Sequence, residues 1–338
     1  MSKAVYAIVA DIGGTNARFS RVNLTDFAVD KVAVYPCARF QNLVEALRAY
    51  QVFEALLSIK RVVIAIASPI TGDEVVMTNL HWKFSIQDVK KQLDLVEFQV
   101  LNDFTAIAMS LPLLRAKDKV QIGSGTADPK KPMVVLGAGT GLGVAHLVPT
   151  ALSNSHKTAK FLPIAGEGGH VTWAPQTEQE IFIQRFLNAH YGHVSWERLL
   201  SGPGIERIYL ALAAYCEKQV IPSTAEEITQ QAISGSCEIA LATLEQFFTS
   251  LGSFAGDLAL ALGALGGVYI AGGIVPKLLA RMETSSFRRC FEAKGRASLY
   301  LRGIGTFVIL AEHPGLIGAA AYLRESMQTE AVCLASAS

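Results

Sequence analysis

Short apolar runs separated by glycine-rich turns divide the first part of the chain. Residues 4–10 form an apolar run, residues 11–16 (Asp-Ile-Gly-Gly-Thr-Asn) are typical of a turn, and residues 17–22 alternate in character. This order predicts two strands joined by a glycine turn, which is a hairpin. Further apolar spacing predicts an α/β alternation, with a helix over 40–57 and strands over 61–67 and 98–101.

A second copy of this pattern follows a polar link over residues 123–132. Met133–Leu136 is apolar, Gly137–Gly141 supplies turn residues, and Leu142–Val148 is apolar again. The glycines of the two copies fall in register when residues 9–13 are set beside residues 135–139. The repeat predicts a duplicated α/β domain, with a chance likeness of two short units as the alternative.

The rest of the chain alternates between helical and strand-like patterns. Residues 177–262 are predicted to be mostly helical, with a break near Pro222, and residues after Thr329 have no pattern, so we expect a frayed tail. We predict a small α/β domain of residues 1–112 plus 315–330, and a large α/β domain of residues 113–314 with a helical insertion. The remaining predicted elements are strands over 267–271 and 306–310 and helices over 274–282 and 315–327.

The composition favours a globular protein over a nucleic-acid-binding or membrane protein. Of 338 residues, 51% are hydrophobic and 17% are charged, which is enough apolar material for packed cores. The formal net charge is +1, so we expect neither nucleic acid nor an anionic membrane as a partner. Residues 258–275 carry no charge but contain five glycines, and this favours a buried helix end, turn and strand over a membrane span.

The cysteines and the first residues bear on location. The five cysteines form no CxxC pair, so neither a disulfide framework nor a cysteine-based zinc site is expected. Free thiols suit a reducing compartment. The apolar run at residues 4–10 is too short for a spanning helix, and no small-residue cleavage site follows it, so we expect no signal peptide. We therefore expect a cytoplasmic protein.

Both glycine turns are candidates for phosphate binding. Glycines let a phosphate approach backbone N–H groups, and Asp11 at a strand end could hold Mg²⁺ through water. The first turn is neither a P-loop, since GxxxxGK[ST] is absent, nor a Rossmann fingerprint, since a strand follows it. An ordinary hairpin turn is the alternative. The second turn, Gly137–Gly143, adds N–H groups and the Thr140 hydroxyl.

Four other places in the sequence offer polar side chains or a backbone without side chains. Asp103, after a predicted strand, could accept a proton from a phosphoryl acceptor or could simply cap a helix. Glu167 and His170 could bind sugar hydroxyls, with a metal site or a solvated loop as alternatives. Glu197 in a first helical turn is explained by the helix dipole alone. Gly272 and Gly273 could lie against a nucleoside or form a plain strand-to-helix turn.

Taken together, these motifs resemble bacterial-type glucokinases of the group without a zinc motif, in the actin-like hexokinase and sugar kinase superfamily. The ROK sugar kinases carry a cysteine-rich zinc loop that is missing here, which argues against that branch. The matching segments keep the family's order over nearly the whole chain: Asp11–Arg18, Ser68–Gly72, Met77–Asn79, Leu101–Ala106, Gly137–Gly143, Gly166–His170, Glu197–Gly204, Ala271–Pro276 and Pro314–Leu316.

The resemblance implies an actin-like ATPase (ribonuclease H-like) fold with two duplicated α/β domains and an interdomain cleft. It also implies a glucokinase activity, in which ATP with Mg²⁺ phosphorylates the 6-hydroxyl of glucose. The family usually has glycine before Asp11. Here the residue is Ala10, and we expect its extra methyl group to do little harm.

The resemblance assigns a role to each matching residue. Asp103 is the general base, and Asp11 positions Mg²⁺ through water. The sugar-binding set is Asn102, Asp103, Glu167, His170 and Glu197. The ATP-binding set is Ala10, Asp11, Ile12, Gly13, Gly14, Thr15, Gly139, Thr140, Gly141, Gly272 and Gly273.

Three other functions stay open at this point. One is a kinase for another hexose, such as mannose, fructose or an amino sugar. Another is a non-catalytic sugar-binding protein, against which Asp103 and the two phosphate turns argue. The third is an actin-like or chaperone-like ATPase, in which the Glu167, His170 and Glu197 set has no purpose. A homodimer is expected, because twofold dimers are the commonest oligomers.

Overall fold

The computed structural model describes residues 5–77, 80–150 and 160–336. Residue 4 of the predicted first strand, and Thr78 and Asn79 of one family motif, lie outside these ranges. The strands are β1 (Tyr6–Ile12), β2 (Asn16–Asn23), β3 (Val29–Pro36), β4 (Arg61–Ile66), β5 (Glu74–Val76), β6 (Lys83–Ser85), β7 (Glu97–Asn102), β8 (Lys119–Ile122), β9 (Met133–Ala138), β10 (Leu142–Pro149), β11 (Phe161–Gly166), β12 (Val268–Ala271) and β13 (Thr306–Ile309). The α-helices are α1 (Leu43–Phe53), α2 (Ile86–Gln92), α3 (Asp103–Ser110), α4 (Glu178–Tyr191), α5 (Gly202–Tyr215), α6 (Ala225–Ser234), α7 (Glu238–Leu262), α8 (Leu279–Thr284), α9 (Phe287–Glu292), α10 (Ser298–Arg302) and α11 (Pro314–Ser336).

Backbone contacts divide the chain into two compact units. The first comprises Met1–Leu114, Thr150–Ala165 and Ala311–Ser338, and the second comprises Arg115–Pro149 and Gly166–Leu310. These units differ from the domain boundaries given above chiefly at Thr150–Ala165, and those boundaries stay predictions.

A five-stranded sheet with the order β3-β2-β1-β4-β7 forms the framework of the first unit. β1 and β2 form the predicted hairpin, and β1, β4 and β7 run parallel. The turn is shorter than the sequence indicated, because Asp11 pairs with Arg18 and Ile12 with Ala17, which extends the ladder to the edge of Gly13. Ile12, Ile66 and Asn102 lie in one row, so the three parallel strands end at the same edge.

Both faces of this sheet are covered, as is usual where strands run parallel. Successive side chains of a strand point to opposite faces. Ile8, Ala10 and Ile12 therefore belong to one buried cluster, which includes residues of α1, while Ala7 and Val9 belong to another, which includes residues of α3 and α11. This alternation directs Asp11 to the face that α11 covers.

The second sheet repeats this plan with the order β11-β10-β9-β12-β13-β8. β9 and β10 are an antiparallel hairpin, and β12 and β13 then follow β9 in parallel. The first five strands in this order match the five-stranded sheet position by position, and β8 is an extra antiparallel strand at the edge. The predicted duplication is confirmed.

Helices α4 to α7 account for the segment that the sequence predicted to be mostly helical, and Pro222 lies between α5 and α6. The uncharged stretch at residues 258–275 forms the end of α7, a turn and β12, as predicted. Among the described residues, no helix has the length and apolar character needed to span a membrane.

The predicted frayed tail after Thr329 is wrong, because α11 continues to Ser336. The residues that extend it include Glu330, Ala331, Leu334 and Ala335, which are good helix formers, and no glycine or proline interrupts them. Propensity thus continues the helix where the apolar periodicity has ended.

Replacing Gly318 on α11 tests the packing of this helix on α3. A Cβ atom at Gly318 would lie 1.6 Å from the backbone oxygen of Ala106 on α3, so the two helices must separate to admit it. We expect Gly318→Ala to lower the free energy of unfolding by about 2 kcal/mol or more, measured by urea unfolding. Gly72→Ala is the control, since nothing lies within 4 Å of its added Cβ. Equal stability of the two variants would contradict the close packing of α11 on α3.

Candidate functional site

Asn102 and Asp103 stand where β7 ends and α3 begins. The sequence suggested Asp103 as an N-cap, which is wrong: Asn102 is the cap, and its Oδ1 accepts hydrogen bonds from the backbone N–H groups of Phe104 at 3.0 Å and Thr105 at 3.2 Å. Asp103 is the first helical residue, and its Oδ1 accepts from the Phe104 N–H at 2.9 Å. Its carboxylate is therefore oriented by backbone at the carboxyl edge of the sheet.

Asp11 lies at the same edge, close to the end of β1. Its Oδ2 is 3.9 Å from Nη1 of Arg18, its neighbour across the hairpin. A Cβ atom at Gly315 would lie 2.9 Å from the Asp11 Cγ, so the first turn of α11 abuts the carboxylate. Burial raises the pKa of Asp11, and its electrostatic interactions with Arg18 and His313 act in the opposite direction. A cation bound near this carboxylate would favour its ionised form.

The first glycine turn exposes only part of the predicted phosphate-binding set. Ala10 has no exposed surface and Ile12 is 1% exposed, because both side chains pack in the core. Gly13, Gly14 and Thr15 are half-buried or exposed, and these three carry the accessible backbone of the turn. The turn is closed by the Gly13 N–H, which donates to the Asn16 carbonyl at 3.0 Å.

The second glycine turn and the glycines after β12 come together in the second unit. Ala271 pairs with Gly137, so β9 and β12 end side by side. Gly272 has a φ of +88°, and a Cβ there would lie 2.3 Å from the Ala138 oxygen, so only glycine fits. In contrast, a Cβ at Gly139 or Gly273 would meet nothing within 4 Å. The structure thus offers open backbone beside a tightly packed pair of strand ends.

Glu197 lies against the second glycine turn. It lies in a short 3₁₀ helix, Trp196–Arg198, which agrees with the prediction that Glu197 is in the first turn of a helix. The Leu142 N–H donates to its Oε2 at 2.8 Å, and a Cβ at Gly141 would lie 2.6 Å from the same oxygen. Sequence motifs far apart in the chain therefore meet at the start of β10.

Glu167 precedes a second 3₁₀ turn, Gly168–His170, that packs on β10, and His170 is its last residue. A Cβ at Gly169 would lie 2.2 Å from the Leu142 oxygen, so this glycine brings the turn against the strand. Oε2 of Glu167 and Nε2 of His170 are 4.0 Å apart, and both side chains are more than half exposed. The backbone of Trp196 donates to the Val171 carbonyl at 3.0 Å, which places this pair beside the segment of Glu197.

Three contributors to these groupings escaped the sequence analysis. His313 and Gly315 reach Asp11 through α11, and no local signal links them to it. Arg18 could have been found, because a hairpin with a three-residue turn sets it opposite Asp11. Among the described residues, no group of three or more His, Cys, Asp or Glu side chains could hold a metal ion.

The repeated strand order, with glycine turns at the ends of its strands, is the two-domain α/β architecture of the actin-like ATPase fold, and the chain shares it with solved sugar kinases. A model of the glucokinase family matches residues 8–326 of the chain. The chain belongs to the glucokinase family.

Known proteins agree with this assignment over almost the full length. The chain is 42% identical over 322 residues to a glucokinase of Salmonella paratyphi B, covering 95% of this chain and 98% of that protein. A crystal structure of a glucokinase from an Antarctic psychrotroph is 38% identical, with a TM-score of 0.85 and coverage of 95% and 99%. A ROK glucokinase of Streptomyces griseus, in complex with glucose and AMPPNP, shares the fold at 19% identity, with a TM-score of 0.61 and coverage of 94% and 98%.

Gly272 and Gly273, the two glycines after β12, should differ in how much their replacement by alanine destabilises the protein. Gly272→Ala meets both a positive φ and a backbone clash, so we expect it to lower the free energy of unfolding by about 2 kcal/mol or more. Gly273→Ala has open space and should keep wild-type stability. Urea unfolding of both variants checks this, and a Gly273→Ala protein as unstable as Gly272→Ala would contradict the described geometry.

Proposed function

We propose that this chain transfers the γ-phosphoryl group of ATP to the 6-hydroxyl of glucose, with Asp103 as the general base. The observation that carries the proposal is the position of Asp103. Its carboxylate is held by the Phe104 N–H at the carboxyl end of β7, the edge at which open α/β sheets bind ligands. Membership of the glucokinase family supports the reaction.

In the proposed step, Asp103 takes the proton of the 6-hydroxyl while that oxygen bonds to the γ-phosphorus. The bond from this phosphorus to the β–γ bridging oxygen breaks, and ADP leaves with the electron pair. The transition state of phosphoryl transfer is loose, so catalysis depends mainly on positioning and on neutralising charge. The base contributes on the order of 10²- to 10⁴-fold.

The remaining sugar hydroxyls are assigned to Asn102, Glu167, His170 and Glu197. Carboxylates accept hydrogen bonds from hydroxyls, and a neutral histidine can donate or accept. The exposure of Glu167 and His170, together with the backbone hydrogen bond from Trp196 to Val171, supports a shared role for Glu167, His170 and Glu197.

The turns Gly13–Thr15 and Gly139–Gly141 are assigned to the ATP phosphates, and Gly272 and Gly273 to the nucleoside. The N–H groups of Gly13 and Gly139 close their own turns, so the phosphate contacts are assigned to the other backbone N–H groups of the two turns. The open space at Gly139 and Gly273 supports this assignment. Asp11, whose side chain is 24% exposed, fits a Mg²⁺ ion held through water, because Mg²⁺ prefers oxygen donors and retains several waters. When bound, the ion neutralises negative charge on the phosphates.

A cytoplasmic location and a homodimer complete the proposal. Cys37, Cys216, Cys237 and Cys290 are free thiols, which suits a reducing compartment. Sedimentation of the purified protein measures its oligomeric state directly, and a monomer at micromolar concentration would remove the dimer.

Replacing Asp103 by Asn tests the base. The amide oxygen can still accept from the Phe104 N–H, so we expect a folded protein that binds glucose. The kcat should fall on the order of 10²-fold or more, because no carboxylate remains to take the proton. Asp88→Asn is a matched control, since Asp88 is also an acid in the first turn of a helix of the same unit. A kcat of Asp103→Asn equal to that of the control would remove Asp103 from this role.

A panel of sugars separates the alternative functions. Mg·ATP and glucose should release ADP in a coupled assay, whereas 6-deoxyglucose, which lacks the acceptor hydroxyl, should compete with glucose without releasing ADP. Faster turnover of mannose, fructose or glucosamine than of glucose would mean that this other sugar is the preferred substrate. ADP release that does not depend on any sugar would favour an ATPase, and sugar binding without turnover would favour a non-catalytic binding protein.

A further inference from the structure

The Glu197 carboxylate contacts the second glycine turn, which the proposed function assigns to the nucleotide phosphates. Its Oε2 accepts the Leu142 N–H at 2.8 Å, directly after the turn of residues 139–141, which we call the phosphate turn. A Cβ at Gly141 would lie 2.6 Å from this oxygen, so the carboxylate occupies the space that a side chain would need. A residue assigned to the sugar therefore also supports the backbone assigned to phosphate.

The same short segment holds the other end of the phosphate turn. The Gly202 N–H donates to the Gly139 carbonyl at 2.8 Å. Ser201, which is 1% exposed, links the two contacts, because its hydroxyl donates to the Glu197 carbonyl at 2.8 Å and accepts from the Gly204 N–H at 3.1 Å. Residues 197–204 thus support the phosphate turn at both ends.

A turn that contains two glycines needs such support. Glycine has the greatest backbone freedom, and the turn has one internal backbone bond, from the Gly139 N–H to the Gly141 carbonyl at 2.8 Å. Hydrogen bonds to a carboxylate are stronger than neutral ones. Backbone that is already ordered before a ligand arrives binds more tightly, because the ordering cost is not incurred on binding.

We propose that Glu197 is a positioning residue for ATP as well as a sugar ligand: its carboxylate orders the phosphate turn through Leu142 and Gly141. This inference rests on the proposed function, in which the turn binds the nucleotide phosphates. It requires Glu197 to influence nucleotide affinity when no sugar is present, which a pure sugar ligand does not do.

Calorimetric titration with Mg·ADP in the absence of sugar tests the proposal. Glu197→Ala should raise the Kd of Mg·ADP about ten-fold, the effect of losing one charge-assisted hydrogen bond. Glu197→Gln keeps an oxygen acceptor for the Leu142 N–H and should restore affinity to within about three-fold of wild type. Glu167→Ala removes a sugar ligand with no described contact to the phosphate turn, so its Kd for Mg·ADP should match wild type.

Glu206→Ala is the matched structural control. Glu206 is a half-buried glutamate of the same unit, and its Oε1 accepts the Ala225 N–H at 3.0 Å, so its loss removes a bond of the same kind elsewhere. Its affinity for Mg·ADP should not change. Should Glu197→Ala fail to fold, Glu197→Asp replaces it, because the shorter side chain withdraws the carboxylate from Leu142 and should weaken Mg·ADP binding similarly.

The outcomes are distinct. A folded Glu197→Ala or Glu197→Asp protein with wild-type affinity for Mg·ADP overturns the positioning role and leaves the proposed function intact. Equal weakening by Glu206→Ala also overturns it, since the effect would then be general to the unit. A wild-type protein that does not bind Mg·ADP would instead contradict the proposed function itself.

Discussion

Parallel pairing of the central strands is the constraint on which the candidate site depends. In the first unit, Ile12, Ile66 and Asn102 lie in one row, so β1, β4 and β7 end at one edge. In the second unit, Ala271 pairs with Gly137, so β9 and β12 end together. Polar and glycine residues that follow these strands become neighbours through backbone hydrogen bonding alone.

Glycine contributes to this arrangement in two different ways. At Gly315 and Gly272 the absence of a side chain permits close packing, against the Asp11 carboxylate and against a backbone oxygen of β9 respectively. At Gly139 and Gly273 no atom lies within 4 Å of an added Cβ, so the backbone there is open. The packed glycines determine where the strand ends lie, and the open glycines leave room for a ligand.

Local signals explain what the sequence predicted well. The glycine turns lie between short apolar runs, and this pattern correctly predicted both hairpins and, through their likeness, the duplication. The sequence left a capping role for Asp103 open, and the structure gives that role to Asn102. Both residue types are good caps, and only the backbone geometry distinguishes them. The extent of α11 was missed because propensity, without apolar periodicity, continues it.

Tertiary contacts account for what the sequence could not predict. His313 and Gly315 approach Asp11 only because α11 covers the sheet face to which odd-numbered residues of β1 point. The hydrogen bond between Glu197 and Leu142 likewise joins two motifs that are far apart in the chain, and nothing in the sequence predicts their contact. Packing of helices and short turns on the sheets, which local patterns do not specify, creates both groupings.

The position of the sugar relative to Asp103 tests the role of this carboxylate most directly. A crystal structure of the protein with glucose and AMPPNP measures the distance from the nearest Asp103 carboxylate oxygen to the glucose O6 atom. If Asp103 is the general base, this is a hydrogen-bonding distance of about 2.6–3.2 Å. An O6 atom beyond hydrogen-bonding reach of Asp103, or one facing a different carboxylate, would contradict it.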